Sequence, residues 1–221
     1  MTRMTKVSLA LASVLAATGV QAATINYDFD YPLSTTEIGH TGTLGLFDSS
    51  LGTLTGATLT LNGEALFSFS GENVAAQTQS ASITSSTTLS WSSSLGALTP
   101  YLTDLLLSAT SGTQSYAVGE TKNFGPIADA DSAINDLGSI LGALQANGGG
   151  DFTLSCSSLS GLNVLGGGGN INTTQNTQAG CGASILYTYS EGSTEVPVPG
   201  TLALFGLALT GLGVASRRRV K

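Results

Sequence analysis

The stretch Ile25-Asn26-Tyr27-Asp28-Phe29-Asp30-Tyr31 decides the fold class. Apolar side chains fall at every second position with Asn or Asp between them, the period of a strand that keeps one face on a core and the other in water. The same period recurs at Ala57, Leu59 and Leu61, at Ala65, Phe67 and Phe69, and at Ala81 and Ile83 followed by Leu89 and Trp91. It returns at Phe152, Leu154 and Cys156, and at Cys181, Ala183, Ile185, Tyr187 and Tyr189. Most intervening residues are Ser, Thr, Asn or Asp. Many short strands separated by Gly and Asn turns predict a mainly β chain, an antiparallel β-sandwich with inner faces forming the core and outer faces wet.

One segment departs from that period. Ile134, Leu137, Leu141 and Leu144 are spaced by three and four, Asp131 or Ser132 can cap the start, and Asn147-Gly148 suits the stop. The spacing predicts one short helix there. Tyr101, Leu102, Leu105 and Leu106 suggest a further turn or two of helix over 99–107.

The two ends of the chain have a different character. Arg3 and Lys6 precede an apolar run over 7–20, and Val20-Gln21-Ala22 puts small residues at the minus-three and minus-one positions of a cleavage site. Residues 1–22 read as a signal peptide with its helix, cut between Ala22 and Ala23. At the other end, Val196-Pro197-Val198-Pro199 leads into an almost uncharged apolar run over 200–215, closed by Arg217, Arg218, Arg219 and Lys221. That run predicts a transmembrane helix whose arginine cluster stays on the cytoplasmic side. Its roughly 24 Å is short for an average bilayer, which suits transient docking better than permanent anchoring. The expected organisation is therefore a signal peptide over 1–22, an extracytoplasmic domain over 23–190, a linker over 191–195 and a tail over 196–221.

Removing both ends changes the meaning of the composition. The whole chain has a formal charge of −7, but six of its seven basic residues lie in the two end segments. The body over 23–200 holds Lys122 against all fourteen acidic residues, a formal charge of −13. A phosphate backbone would be repelled by such a surface, so nucleic acid is excluded as a partner. Divalent cations or a basic partner fit the charge better, and the same charge keeps a Ser/Thr-rich exported domain dispersed.

Cys156 and Cys181 both fall on the apolar phase of their strands, in a chain expected to reach an oxidising compartment. A bond between them closes a loop of about 25 residues, which stabilises by roughly 3 kcal/mol. The enclosed segment contains Gly166-Gly167-Gly168-Gly169, expected as a flexible hairpin tip, and a polar run over 170–178.

The order of Pro197 and Pro199, apolar run, and Arg217 to Arg219 resembles the PEP-CTERM sorting signal of Gram-negative bacteria. Val198 stands where that family has an acidic residue. The resemblance implies handling by an exosortase, a membrane-embedded, cysteine transpeptidase-like enzyme, with passage through the inner membrane and a final place at the cell surface or outside the cell. It makes Val196, Pro197, Pro199, Arg217, Arg218 and Arg219 the sorting residues. The body, through Thr41-Gly42-Thr43-Leu44-Gly45-Leu46-Phe47-Asp48, Leu59-Thr60-Leu61-Asn62-Gly63, Phe124-Gly125-Pro126, Leu154-Ser155-Cys156, Gly180-Cys181-Gly182-Ala183 and Tyr187-Thr188-Tyr189, resembles the choice-of-anchor E type of exported domain. That likeness implies a surface or matrix domain and supplies no catalytic residues.

No nucleophile is marked in the body. The serines lack a G-x-S-x-G elbow, and His40, with Glu37 three residues before it, reads as a solvated turn residue. Asp28 with Asp30, and Asp129 with Asp131, are oxygen pairs suited to calcium, but neither completes a binding-loop pattern. No enzyme activity, cofactor or metal is expected. The sequence reads as a structural protein of the cell surface or extracellular matrix with exopolysaccharide as a candidate partner; the alternative is a carbohydrate-binding or adhesin module, which Trp91, in phase with inward Leu89, argues against.

Overall fold

The computed structural model describes residues 22–192. The expected signal helix, transmembrane helix, most of the linker and the sorting residues Val196, Pro197, Pro199, Arg217, Arg218 and Arg219 lie outside the described residues.

Ten strands follow one another: β1 (Ala22–Thr35), β2 (Gly39–Gly45), β3 (Phe47–Asp48), β4 (Gly52–Asn73), β5 (Gln79–Ser93), β6 (Leu105–Tyr116), β7 (Thr121–Asp136), β8 (Gln145–Ala146), β9 (Asp151–Gly166) and β10 (Ile171–Glu191). Eight of them form two antiparallel sheets, one ordered β1-β10-β4-β7 and the other β2-β9-β5-β6, while the short β3 and β8 pair in parallel. Successive long strands cross between the sheets except β5 and β6, which are neighbours in one sheet, and this order is the double Greek key of a jelly roll. One core of buried side chains, among them Leu44, Leu59, Phe67, Ile83, Leu107 and Ile185, fills the space between the sheets.

The alternation seen in the sequence is the in-and-out pattern of these strands. Ile25, Tyr27, Phe29 and Tyr31 point inward along β1, an edge strand, and are only partly buried. Tyr27 and Phe29 pack on Gly45 and Gly42 of β2. A Cβ at Gly45 would lie 2.6 Å from the Tyr27 ring, and one at Gly42 would strike the Phe29 ring. Tyr31 stacks on His40, with ring centroids 4.5 Å apart and planes 13° apart. Glycine at these two positions lets an aromatic ladder seal one side of the core.

The strands are longer than the sequence pattern suggested. The runs 57–61 and 65–69 are one inward phase of the 22-residue β4, joined through Gly63, whose missing side chain leaves room for Leu89. The polar run over 170–178 is the first half of β10 and pairs with β4 from Ile171↔Asn73 onward. Gly166 to Gly169 is no hairpin tip: β9 and β10 lie in different sheets, so the glycines carry the chain across the end of the fold with all four φ angles positive.

The expected helix over 134–144 is not formed. Residues through Asp136 belong to β7, with Thr58↔Asp136 and Thr60↔Ile134 in register, and Ile134 faces outward at 72% exposure. The stable pairing with β4 takes these residues, and Gly138 and Gly142 weaken any α-helix beyond them. What remains is a 3₁₀ turn over Gly138–Ala143, flanked by Leu137 and Leu144, both fully buried as plugs at one end of the core. Asp131 and Ser132 lie within the strand and cap nothing. Likewise Leu105 and Leu106 open β6, and a 3₁₀ turn over Gly96–Tyr101 precedes them, inserting Leu98 into the core.

Candidate functional site

Ala22 pairs with Ser190 and Gly52 with Glu191, so the described domain begins and ends on neighbouring strands at one end of the β1-β10-β4-β7 sheet. The expected Ala22/Ala23 cut would leave β1 whole but for its first residue. At the far end, the links β4–β5, β6–β7 and β9–β10 converge.

Asn73 organises that far end, and nothing in its sequence context marks it. Its side chain is fully buried. Nδ2 donates to the carbonyls of Gln77 (2.8 Å), Tyr116 (3.1 Å) and Ala117 (3.1 Å), while Oδ1 accepts the Ala75 N–H (2.9 Å). Its own N–H donates to the Glu120 carbonyl, and its carbonyl accepts the Gly119 N–H, each at 3.0 Å. One amide therefore ties two links between strands. Burial raises the pKa of neighbouring Tyr116, with the charge of Glu120 adding to the effect.

The disulfide joins Cys156 on β9 to Cys181 on β10, across the two sheets, with Cα atoms 6.7 Å apart. Both cysteines are buried at 1% exposure. Their row across the fold is built from Trp91 and His40 beside Cys156, and Tyr31 and Gly63 beside Cys181. Trp91 faces inward as its phase with Leu89 implied, at 9% exposure. His40 is not the solvated turn residue expected: it lies in β2 under the Tyr31 ring, and its Nε2 is buried without a hydrogen-bond partner. Glu37 turns elsewhere, accepting the Ser160 N–H at 2.8 Å and the Ser158 hydroxyl at 3.3 Å. Glu37 and His40 do not meet as a catalytic pair.

The acidic pairs have separate tasks. Asp129 accepts the Ser108 N–H of β6 at 2.8 Å, closing the gap between the edge strands β6 and β7, and Asp131 accepts the Ser132 N–H at 2.8 Å. A charged group facing in at a sheet edge discourages further strand pairing. Asp28 and Asp30 lie on the outer face of β1, where Asp28 accepts from Asn26 at 3.0 Å. Among the described residues, no group of three or more His, Cys, Asp or Glu side chains is arranged to hold a metal ion. Asp48 secures the other end of the fold, since its Oδ1 accepts the N–H groups of Ser50 and Gly148, both at 2.9 Å. Those bonds, Ser50 first, hold its carboxyl below the usual carboxylate range. Burial, with Tyr27 second, pushes the Tyr187 phenol well up, and its hydroxyl donates to the Gly45 carbonyl at 2.9 Å.

Two shallow grooves mark the outer face of the β1-β10-β4-β7 sheet. The first, about 430 Å³, exists because Gly180 and Gly182 leave β10 bare between Asp30 and Glu64; Asn62, Asp131 and Ser132 complete its rim. The second, about 440 Å³, lies beyond the end of β1 and presents hydroxyls and amides from Ser68, Ser70, Asn123, Thr174 and Asn176. Charge is unevenly divided between the sheets. Asp28, Asp30, Glu64, Glu72, Asp129, Asp131, Asp136 and Glu191 sit in this one, whereas the strands of the other hold Asp151 alone.

The PEP-CTERM protein-sorting motif matches residues 195–219, a span that includes Val196, Pro197, Pro199 and Arg217 to Arg219. The match supports exosortase-dependent sorting of an exported protein and implies export with transient membrane anchoring. No curated protein is detectably similar. Among solved structures, the chain is similar to chains of the infectious bursal disease virus Gx strain (9% identity, TM-score 0.16) and Gt strain (10% identity, TM-score 0.19). A mutant VP2 protein of the same virus, in T=1 particles, is similar at 11% identity and a TM-score of 0.19. Each alignment covers 86% of this chain and 47% of the viral chain, so this chain spans about half the length of those it matches. These superposition scores are too low to establish a shared fold.

Proposed function

We propose that this chain is a non-enzymatic structural protein of the bacterial cell surface or extracellular matrix, sorted by an exosortase through its C-terminal signal. The observation that carries this reading is the sorting motif over 195–219, following an acidic, disulfide-bonded β domain. In this reading Val196, Pro197 and Pro199 present the tail to the enzyme, and Arg217, Arg218 and Arg219 hold the helix end on the cytoplasmic side. Signal peptidase cuts between Ala22 and Ala23 during passage through the inner membrane. The likeness of the body to choice-of-anchor E domains belongs to the same proposal, as does exopolysaccharide as the matrix partner.

The experiment is to delete residues 197–221 and fractionate cells and medium. The truncated protein is expected as a soluble body outside the inner membrane, while the full chain passes through the membrane fraction. Unchanged fractionation would remove any sorting role.

A carbohydrate-binding role is the second reading, favoured by the uncharged second groove, whose amides and hydroxyls suit the paired hydroxyls of a neutral sugar. Specific glycan capture by the domain, lost with Asn123→Ala and Asn176→Ala, would support it; absence of any glycan ligand would end it.

A further inference from the structure

We infer that the outer face of the β2-β9-β5-β6 sheet is a self-association surface, on which two copies of this chain pack face to face about a two-fold axis running along β5 above Thr88. Every outward position of β5 from Ser80 to Ser92 is Ser or Thr. Leu159 of β9 and Leu106 of β6 stand opposite Thr88 on its two sides, exposed at 73% and 65%. Leu165, opposite Ser82, is exposed at 76%. Large leucines at such exposure on one sheet face form an apolar surface without a partner in the domain.

Charge selects a second copy as the occupant. With a body of −13, two copies repel wherever acidic residues face each other. The strands of this sheet carry one acidic residue, Asp151, and it sits at the first position of β9. Its edges carry Glu37, bonded to the Ser160 N–H, and Asp129, bonded to the Ser108 N–H, so two such faces meet with carboxylates only at the rim, whereas the outer face of the opposite sheet would set Asp28, Asp30, Glu64 and Glu72 against the same group in the second copy. Size agrees. The four strands hold 7, 16, 15 and 12 residues, and at about 3.3 Å per residue and about 4.8 Å between strands they present roughly 800 Å². That is about what one partner of a standard interface buries.

Symmetry supplies the contacts. Rotation by half a turn about an axis parallel to β5 sets Leu106 of one copy over Leu159 of the second, and the reverse, with Thr88 facing Thr88. The small hydroxyl side chains around them allow close approach of the sheets. This inference does not depend on the sorting reading, since it concerns the domain alone.

The test uses the full exported chain, extracted from the envelope in mild detergent. Thr88→Cys is expected to give a covalent dimer on a non-reducing gel, and Asn62→Cys, on the outer face of the opposite sheet, to stay monomeric. Adding Leu106→Asp and Leu159→Asp to Thr88→Cys is expected to lower the cross-linked fraction at least tenfold, with Leu186→Asp, also exposed but on the opposite sheet, leaving it unchanged. Sedimentation of the unsubstituted chain should give the dimer mass without any new cysteine. A monomer in sedimentation, equal cross-linking from both cysteines, or a dimer that survives the two aspartates would overturn the inference. So would a monomer whose face captures a neutral polysaccharide instead.

Discussion

Replacing Asn73 by Ala removes a side chain that hydrogen-bonds both the β4–β5 and the β6–β7 links. The lost contacts are three donated by Nδ2, to Gln77, Tyr116 and Ala117, and one accepted by Oδ1 from Ala75. A made hydrogen bond contributes about 1 kcal/mol net, and a buried group left without its partner costs about 1–3 kcal/mol. An amide has two hydrogens for three carbonyls, so the contacts are not worth four full bonds, and the expected loss is about 2–4 kcal/mol. For a domain of this size that is a fall in Tm of roughly 6–12 °C. Asn73→Asp separates the polar role from the volume, because a carboxylate would face three carbonyls with no hydrogen to offer. It should be at least as damaging as Ala. Urea unfolding of oxidised protein at neutral pH measures both, against Asn172→Ala at an exposed position of β10, expected within about 0.5 kcal/mol of the parent. A loss under 0.5 kcal/mol for Asn73→Ala, or an Asp variant as stable as the parent, would refute the reasoning.

Three further outcomes follow from the packing and the charges. Replacing Cys156 and Cys181 together by Ala should cost about 3 kcal/mol, read as a lower urea midpoint than oxidised parent. Gly42→Ala should lose about 1–3 kcal/mol, since its Cβ meets the Phe29 ring, while Gly39→Ala, with nothing within 4 Å of its Cβ, should be silent by thermal melting. Asp48 has a depressed carboxyl pKa when folded, so its bonds to Ser50 and Gly148 are fully stabilising above the ordinary carboxylate value of about 4 and are lost as pH falls through the lower folded value. Asp48→Asn should flatten that part of the acid unfolding curve, and a curve unchanged in shape would assign the sensitivity elsewhere.

Strand character was legible because it is local: a side chain's phase along β1, β4 or β10 follows from its neighbours two positions away. Trp91 facing in and the pairing of Cys156 with Cys181 follow from the same phase. The helix expected at 134–144 shows where local reading fails. Its three-and-four spacing is real, but Ile134 belongs to a strand whose partner lies some seventy positions earlier at Thr60, and Leu137 and Leu144 are buried by a 3₁₀ turn that happens to share the spacing. Strand order was beyond reach for the same reason, since β1 beside β10 and β2 beside β9 are pairings between distant parts of the chain. Asn73 was hidden because its partners are backbone carbonyls, which every residue has. Gly42 and Gly45 of β2 were visible as letters, yet only the Phe29 and Tyr27 rings resting on them give a reason for their place.

The central claim is that this chain is exported and sorted through its tail. Intact mass of the protein recovered from envelope and medium, with and without an active exosortase, tests it most directly. The account predicts a chain beginning at Ala23, carrying the Cys156–Cys181 bond, and shortened near Pro197 to Pro199 only when the enzyme is present. A full-length chain in the cytosol, with both thiols free and no dependence on the exosortase, would contradict it.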